Sequence, residues 1–96
     1  MHNLLPKSAN PLAIEDAKEF MLHLPIKAKK PIVSLANDGE INFLWMLPDF
    51  RLDLGMYGDG SYSYYGKTAN GKEFISDQEP ITKPISDKIL SFILSL

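Results

Sequence analysis

Apolar and polar residues alternate along the middle of the chain, between positions 38 and 65. The alternation is interrupted three times by residues typical of turns, at Asp38-Gly39, Leu47-Pro48-Asp49 and Gly58-Asp59-Gly60. Alternation places successive side chains on opposite faces of a strand, while Gly, Pro, Asn and Asp favour chain reversals. The pattern therefore predicts consecutive antiparallel strands joined by short turns, which is a β-meander.

Four to five strands are predicted, and the central ones have a strongly apolar face. A short β-rich segment over 32–35 precedes them, and a return strand over about 73–76 follows the turn signal Asn70-Gly71. The polar segment 77–84 contains two prolines and is predicted to be a loop. The predicted core face comprises Ile41, Phe43, Trp45, Phe50, Leu52, Leu54 and Met56.

Helical periodicity is found at the two ends of the chain. Asn10 followed by Pro11 is typical of a helix start, because Asn caps free amides and Pro tolerates the first helical position. Apolar residues then recur at three- and four-residue steps as far as Leu24, and Pro25 ends this helix. A second helix is predicted from the cap residue Ser86 onward, with an apolar face that includes Leu96.

These elements define an α+β fold in a single domain, residues 1–96, with residues 1–9 as an extended N-terminal lead-in. We expect an antiparallel β-meander of four to five strands, with an N-terminal and a C-terminal helix packed on one face.

Composition limits the classes of function. Cysteine is absent, so disulfides and thiolate chemistry are impossible. The net charge is −2, which disfavours binding to nucleic acid. The N-terminus lacks a basic segment followed by an apolar stretch, and no apolar run approaches the ~20 residues of a membrane span. We expect a cytoplasmic protein without a membrane partner.

Residues that could support catalysis or metal binding are scattered. His2 and His23 have no metal-ligand spacing. Asp49, Asp53 and Asp59 could form a carboxylate cluster, although Asp in predicted turns more commonly stabilises the reversal. We predict no catalytic, cofactor or metal site, and an enzyme with a site assembled from loop carboxylates is the third interpretation.

The second face of the predicted sheet is also partly apolar and aromatic. Two short helices cannot cover both faces, and an uncovered apolar patch marks a contact site. The residues predicted to bind a partner are Leu44, Met46, Arg51, Asp53, Tyr57, Asp59 and Tyr65.

Part of the chain, over about 31–66, resembles a pattern in small bacterial proteins of unassigned function. The shared features are Asp38-Gly39-Glu40-Ile41, Trp45 in a strand, Leu52 and Leu54 in a second strand, and Gly58-Asp59-Gly60 leading to Tyr64-Tyr65. Such proteins resemble accessories of mobile elements, antitoxins or inhibitors. The resemblance implies a binding function and no transferable active site.

The first interpretation is therefore a small non-enzymatic protein-binding module, an inhibitor, antitoxin or immunity-type accessory factor that acts through an exposed aromatic sheet face. Its acidic groups, among them Glu15, Asp16 and Glu19, could mimic phosphates toward a basic partner protein. The alternative is a single-stranded nucleic-acid-binding protein that uses the tyrosines with Arg51, Lys67 and the lysines of 27–30. Self-association as a homodimer through an edge strand, 32–35 or the strand after Gly71, is compatible with both.

Overall fold

The computed structural model describes residues 10–36, 38–81 and 84–94. In chain order the elements are α1 (Pro11–His23), β1 (Ile32–Leu35), β2 (Ile41–Leu47), β3 (Phe50–Met56), β4 (Ser61–Thr68), β5 (Glu73–Pro80) and α2 (Asp87–Leu94). The five strands form one antiparallel sheet in the order β1-β2-β3-β4-β5. The predicted α+β meander with a helix at each end is confirmed.

Helix α1 starts and stops where its sequence signals predict. The Asn10 side chain accepts a hydrogen bond from the Leu12 amide at 3.0 Å, which satisfies one of the free N–H groups of the first turn. At the other end the Leu24 amide donates to the Met21 carbonyl at 3.1 Å, and Pro25 follows. Local chemistry therefore sets both helix ends.

The start of α1 is fixed to two turns at one end of the sheet. The Asn10 amide donates to the Gly39 carbonyl at 3.4 Å, and the Asn10 side-chain amide donates to the Tyr57 carbonyl at 3.1 Å. In the β3–β4 turn, the Gly60 amide donates to Asp16 Oδ2 at 2.9 Å. These bonds hold the helix across β2 and β3, so that one face of the sheet is covered.

Beneath α1 the core is built from aromatic rings. Phe20 of the helix meets Phe43 and Tyr62 edge-on, with ring centroids 5.7 and 5.1 Å apart. Trp45 continues the layer, and its indole N–H donates to the Lys29 carbonyl at 2.7 Å. This bond ties the connector between α1 and β1 to the sheet.

Helix α2 covers the other half of the same face. Phe92 stacks on Phe74 with centroids 4.1 Å apart and lies 5.5 Å from Phe50. Ile89 and Ile93 are fully buried beside these rings. Packing therefore holds this short helix, which would be marginal in isolation.

Strand β5 is the main departure from the predicted elements. It spans Glu73–Pro80, whereas the sequence predicted a strand to about Ser76 and a loop over 77–84. A register shift against β4 and a positive φ of 57° at Gln78 let the strand continue. Pro80 is tolerated because β5 lies at the sheet edge.

The remaining predictions differ from the structure only slightly or concern residues outside the described ranges. Strand β4 extends to Thr68, beyond the predicted end at Tyr65. The lead-in over 1–9, His2 and Leu96 lie outside the described residues. Within the described ranges, neither helix has the length and apolar character to cross a bilayer.

Candidate functional site

The face of the sheet opposite the helices, which we call the open face, carries most of the predicted contact residues. Tyr57 is 54% exposed and Met46 is 52% exposed. Strand alternation and register place six of the seven predicted partner-binding residues here: Leu44, Met46, Arg51, Asp53, Tyr57 and Tyr65.

Asp59, the seventh predicted residue, lies in the β3–β4 turn. Its Oδ1 accepts hydrogen bonds from the Ser61 amide at 3.0 Å and from the Ser61 hydroxyl at 2.7 Å. These bonds, the hydroxyl bond foremost, lower the pKa of the Asp59 carboxyl. The structure therefore places Asp59 where it stabilises a turn, away from the other six.

A row of paired residues crosses the open face. Ile32 pairs with Leu44, Leu44 with Asp53, Asp53 with Tyr65 and Tyr65 with Ile75. Directly opposed residues in a sheet have side chains in contact range. The row thus has apolar residues at both ends, with the carboxylate of Asp53 and the ring of Tyr65 between them.

Next to this row lies a concave region of about 590 Å³, which we call the acidic groove. Its floor is Gly55, where an added Cβ would lie 2.0 Å from Glu40 Oε2. Glycine thus leaves room for a carboxylate to lie against the strand. Every charged side chain among the described residues that line the groove is acidic. The groove is defined by Glu40, Asp53, Gly55, Tyr57, Tyr65 and Asp77.

The groove is unfavourable for the charged form of Glu40. Burial raises the pKa of Glu40 and the nearby Asp38 raises it further, while a hydrogen bond with Tyr57 opposes these effects. The charge of Glu40 in turn raises the pKa of Tyr57. A cation placed beside Glu40 would stabilise its charged form.

Basic residues lie beyond Tyr65, on the far side of the groove. Arg51 Nε lies 2.8 Å from Asp53 Oδ2, but both side chains are about half exposed, so the pair contributes little. The Tyr65 hydroxyl donates to Glu73 Oε2 at 2.5 Å. Arg51 and Lys67 line a neighbouring concavity together with Tyr65. Tyr65 therefore separates an acidic half of the open face from a partly basic half.

Three groove residues, Glu40, Gly55 and Asp77, are absent from the predicted partner-binding set. Glu40 precedes β2 in phase with Asn42 and Leu44, and this parity could have placed it on the open face. Asp77 was assigned to a loop, and only the extension of β5 brings it to the groove.

The four tyrosines divide between the two faces. Tyr62 is buried on the covered face, and burial raises its pKa to about 12. Tyr64 is half-buried beside it, with ring centroids 6.4 Å apart. Only Tyr57 and Tyr65 remain on the open face.

The other candidate groups do not converge. Asp49 and Asp53 line different concavities, and His23 lies 3.2 Å from Glu19 on α1. In the part of the chain that the structure describes, no group of three or more His, Asp or Glu side chains could hold a metal ion.

Comparisons of the chain with protein-family models, with curated proteins and with solved structures found no match. The function is therefore inferred from the geometry of the open face.

Proposed function

We propose that this protein is a small non-enzymatic protein-binding module, of inhibitor, antitoxin or immunity type, that binds a basic protein through the open face. One observation carries the proposal. Glu40, Asp53 and Asp77, contributed by three different segments, lie together with two tyrosines around Gly55, and the Glu40 carboxylate lies over this glycine. No Lys or Arg is found among the described lining residues.

The chemistry of the groove fits an arginine side chain. A guanidinium is planar, presents its donors in a fixed fork to carboxylates and stacks on aromatic faces. Glu40 and Asp53 offer the carboxylates, and the exposed ring of Tyr57 offers the aromatic surface. Arginine is also enriched at the centres of protein interfaces.

Apolar contact would come from the flanks of the groove. Ile75 is mostly exposed on one side, and Leu44 and Met46 lie on the other. Protein interfaces combine such apolar anchors with a few charged contacts that fix orientation. The open face has both in one surface.

Charge favours a protein partner over single-stranded nucleic acid. Stacking of bases on Tyr57 would bring phosphates close to Glu40 and Asp53, which repel them. Arg51 lies beside the groove, but the Asp53 carboxylate next to it offsets its attraction for a phosphate. Binding of single-stranded nucleic acid is therefore the less favoured alternative, and the experiment below distinguishes it from binding of a basic protein.

Amide NMR shifts would test the proposal on the full chain. The probe is a short flexible peptide with alternating Arg and Ser, and its control replaces each Arg with citrulline, a neutral isostere. We expect shifts around Gly55, Asp53 and Tyr57 with the Arg peptide and much smaller shifts with citrulline. Equal shifts with both peptides, or shifts on the helix side, would overturn the proposal. Shifts produced by a single-stranded oligonucleotide at low salt, and not by the Arg peptide, would favour the alternative.

Variants locate the binding energy. Asp53→Asn and Tyr57→Ala should each weaken Arg-peptide binding about fivefold, equivalent to roughly 1 kcal/mol. Glu15→Gln removes an exposed acid from α1, on the helix side of the sheet, and should leave binding unchanged. Arg51→Gln removes the cation that competes for Asp53 and should strengthen binding. Weaker binding by Arg51→Gln would instead place the ligand on the basic half.

A further inference from the structure

Strand β1 is an edge strand that is exposed along its whole length. All four of its residues are exposed, three of them are apolar, and none is charged. Val33 is 61% exposed on the helix side and Ile32 is 63% exposed on the open face. Edge strands with unpaired backbone groups and apolar side chains are templates for further pairing.

The opposite edge of the sheet is protected. Strand β5 carries Glu73, Asp77 and Glu79, ends at Pro80 and is bent by its register shift. Charges, proline and bulges are the devices that prevent edge pairing. Strand β1 has none of them within its four residues.

The free backbone groups of β1 follow from its pairing with β2. The Ala36 amide donates to the Glu40 carbonyl at 2.9 Å, so this position belongs to a hydrogen-bonded pair. Antiparallel pairs alternate, and the N–H and C=O groups of Val33 and Leu35 therefore point to the free edge. Four strong hydrogen-bonding groups are thus available for a partner strand.

We propose that a second copy of this chain pairs with β1 in antiparallel orientation, about a two-fold axis at Ser34, to join two sheets into one. In this register Val33 lies opposite Leu35 of the second copy. All four free backbone groups of each strand find partners, and Ser34 meets its own symmetry mate in a non-hydrogen-bonded pair.

The proline before β1 selects this register. With the axis at Val33 instead, Leu35 would face Pro31 of the second copy, which has no N–H to donate. The Ser34 register avoids this loss, because its hydrogen-bonded pairs join Val33 and Leu35.

The pairing also covers an apolar surface. A concavity of about 540 Å³ lies between α1 and β1, lined mainly by Ile14, Met21, Leu22 and Val33. Leu35 of the second copy would lie next to Val33, about 5.5 Å away between Cα atoms, at the mouth of this concavity. Burying this surface supplies the hydrophobic part of the association.

Sedimentation analysis of the full chain over a wide concentration range tests the inference. We expect a reversible dimer, and Val33→Lys should raise its dissociation constant about tenfold or more. Leu12→Lys is the matched control, because Leu12 is 62% exposed, lies beside Gly58 in the β3–β4 turn and does not line the concavity between α1 and β1. A monomer at the highest concentrations, or equal weakening by both variants, would overturn the inference. Circular dichroism would confirm that each variant is folded.

A disulfide tests the register, since the chain contains no cysteine. In the proposed dimer the Cα atoms of the two Ser34 residues lie about 4.5 Å apart, within disulfide range. Ser34→Cys should therefore cross-link under mild oxidation. Ile32→Cys, on the same face, would place its two sulfurs about 14 Å apart and should not cross-link. No cross-link at Ser34, or equal cross-linking at both positions, would exclude this pairing.

Discussion

Gly66 and Gly55 lie within neighbouring strands, β4 and β3, and face opposite sides of the sheet. At Gly66 on the covered face, an added Cβ would lie 2.2 Å from two atoms of the Phe74 ring. At Gly55 on the open face, it would lie 2.0 Å from the Glu40 carboxylate. One glycine makes room for a core ring and the other for a surface charge. The same backbone device therefore serves packing on one face and, in our proposal, recognition on the other.

The largest difference in stability between the two faces is expected at a matched pair of leucines. Leu54 is 1% exposed on the covered face, and Leu44, on the adjacent strand, is half-buried on the open face. Leu54→Ala should lower the free energy of unfolding by about 2–5 kcal/mol, because it leaves a cavity. Leu44→Ala should cost about 1 kcal/mol or less. Urea unfolding measures both, and equal losses would mean that the open face is also a packed surface.

Gly66→Ala should have the next largest effect. The Phe74 ring cannot move aside freely, because it stacks on Phe92 of α2 at 4.1 Å. We expect a loss of about 1–3 kcal/mol from overpacking, measured by urea unfolding. If Gly66→Ala were neutral or stabilising, the contact with Phe74 would not determine the need for glycine at this position.

Gly55→Ala should separate binding from stability. The methyl group meets the end of a flexible carboxylate, and Glu40 can swing away, so the unfolding free energy should change by less than about 1 kcal/mol. The methyl group displaces the Glu40 carboxylate from the floor of the acidic groove, and Arg-peptide binding should therefore fall about fivefold. A loss of stability as large as that of Gly66→Ala would remove the distinction between the two faces.

The sequence predicted this distinction only in part. Alternation assigned Phe43 and Leu54 to the core face and Tyr57 and Tyr65 to the opposite face, because a strand has a fixed period of two. Helix α1 was also predictable, since its caps are local in sequence. Local chemistry was therefore sufficient for the elements and for their faces.

The groove could not be predicted in the same way. Asp77 reaches it only because β5 continues through a register shift, which depends on pairing with β4. Glu40, Gly55 and Asp53 converge because of the β2–β3 register, which adjacent residues do not specify alone. The exposure of β1 likewise depends on where α1 lies across the sheet. Contacts between residues that are distant in sequence therefore determine which side chains meet at the candidate site.

The smallest expected change in stability comes from the charge of Glu40. Burial raises the pKa of Glu40 above its ordinary value of 4.5, so the folded protein holds this proton more tightly than the unfolded chain does. In the pH window just above 4.5, this group therefore makes stability fall as pH rises. Glu40→Gln removes the effect and should be more stable than the native protein at neutral pH, by at most about 0.5 kcal/mol, because Glu40 is only partly buried and solvent screens its charge.

Urea unfolding of both proteins across this window gives the difference directly. The advantage of Glu40→Gln should grow as pH rises and then level off, while Glu15→Gln controls for loss of an exposed carboxylate. The variant should also lower the pKa of Tyr57, which the charge of Glu40 raises. An advantage that shrinks with rising pH would show that Glu40 is stabilised as a carboxylate. The acidic groove would then already satisfy its own charge, and a cationic partner would have nothing to relieve.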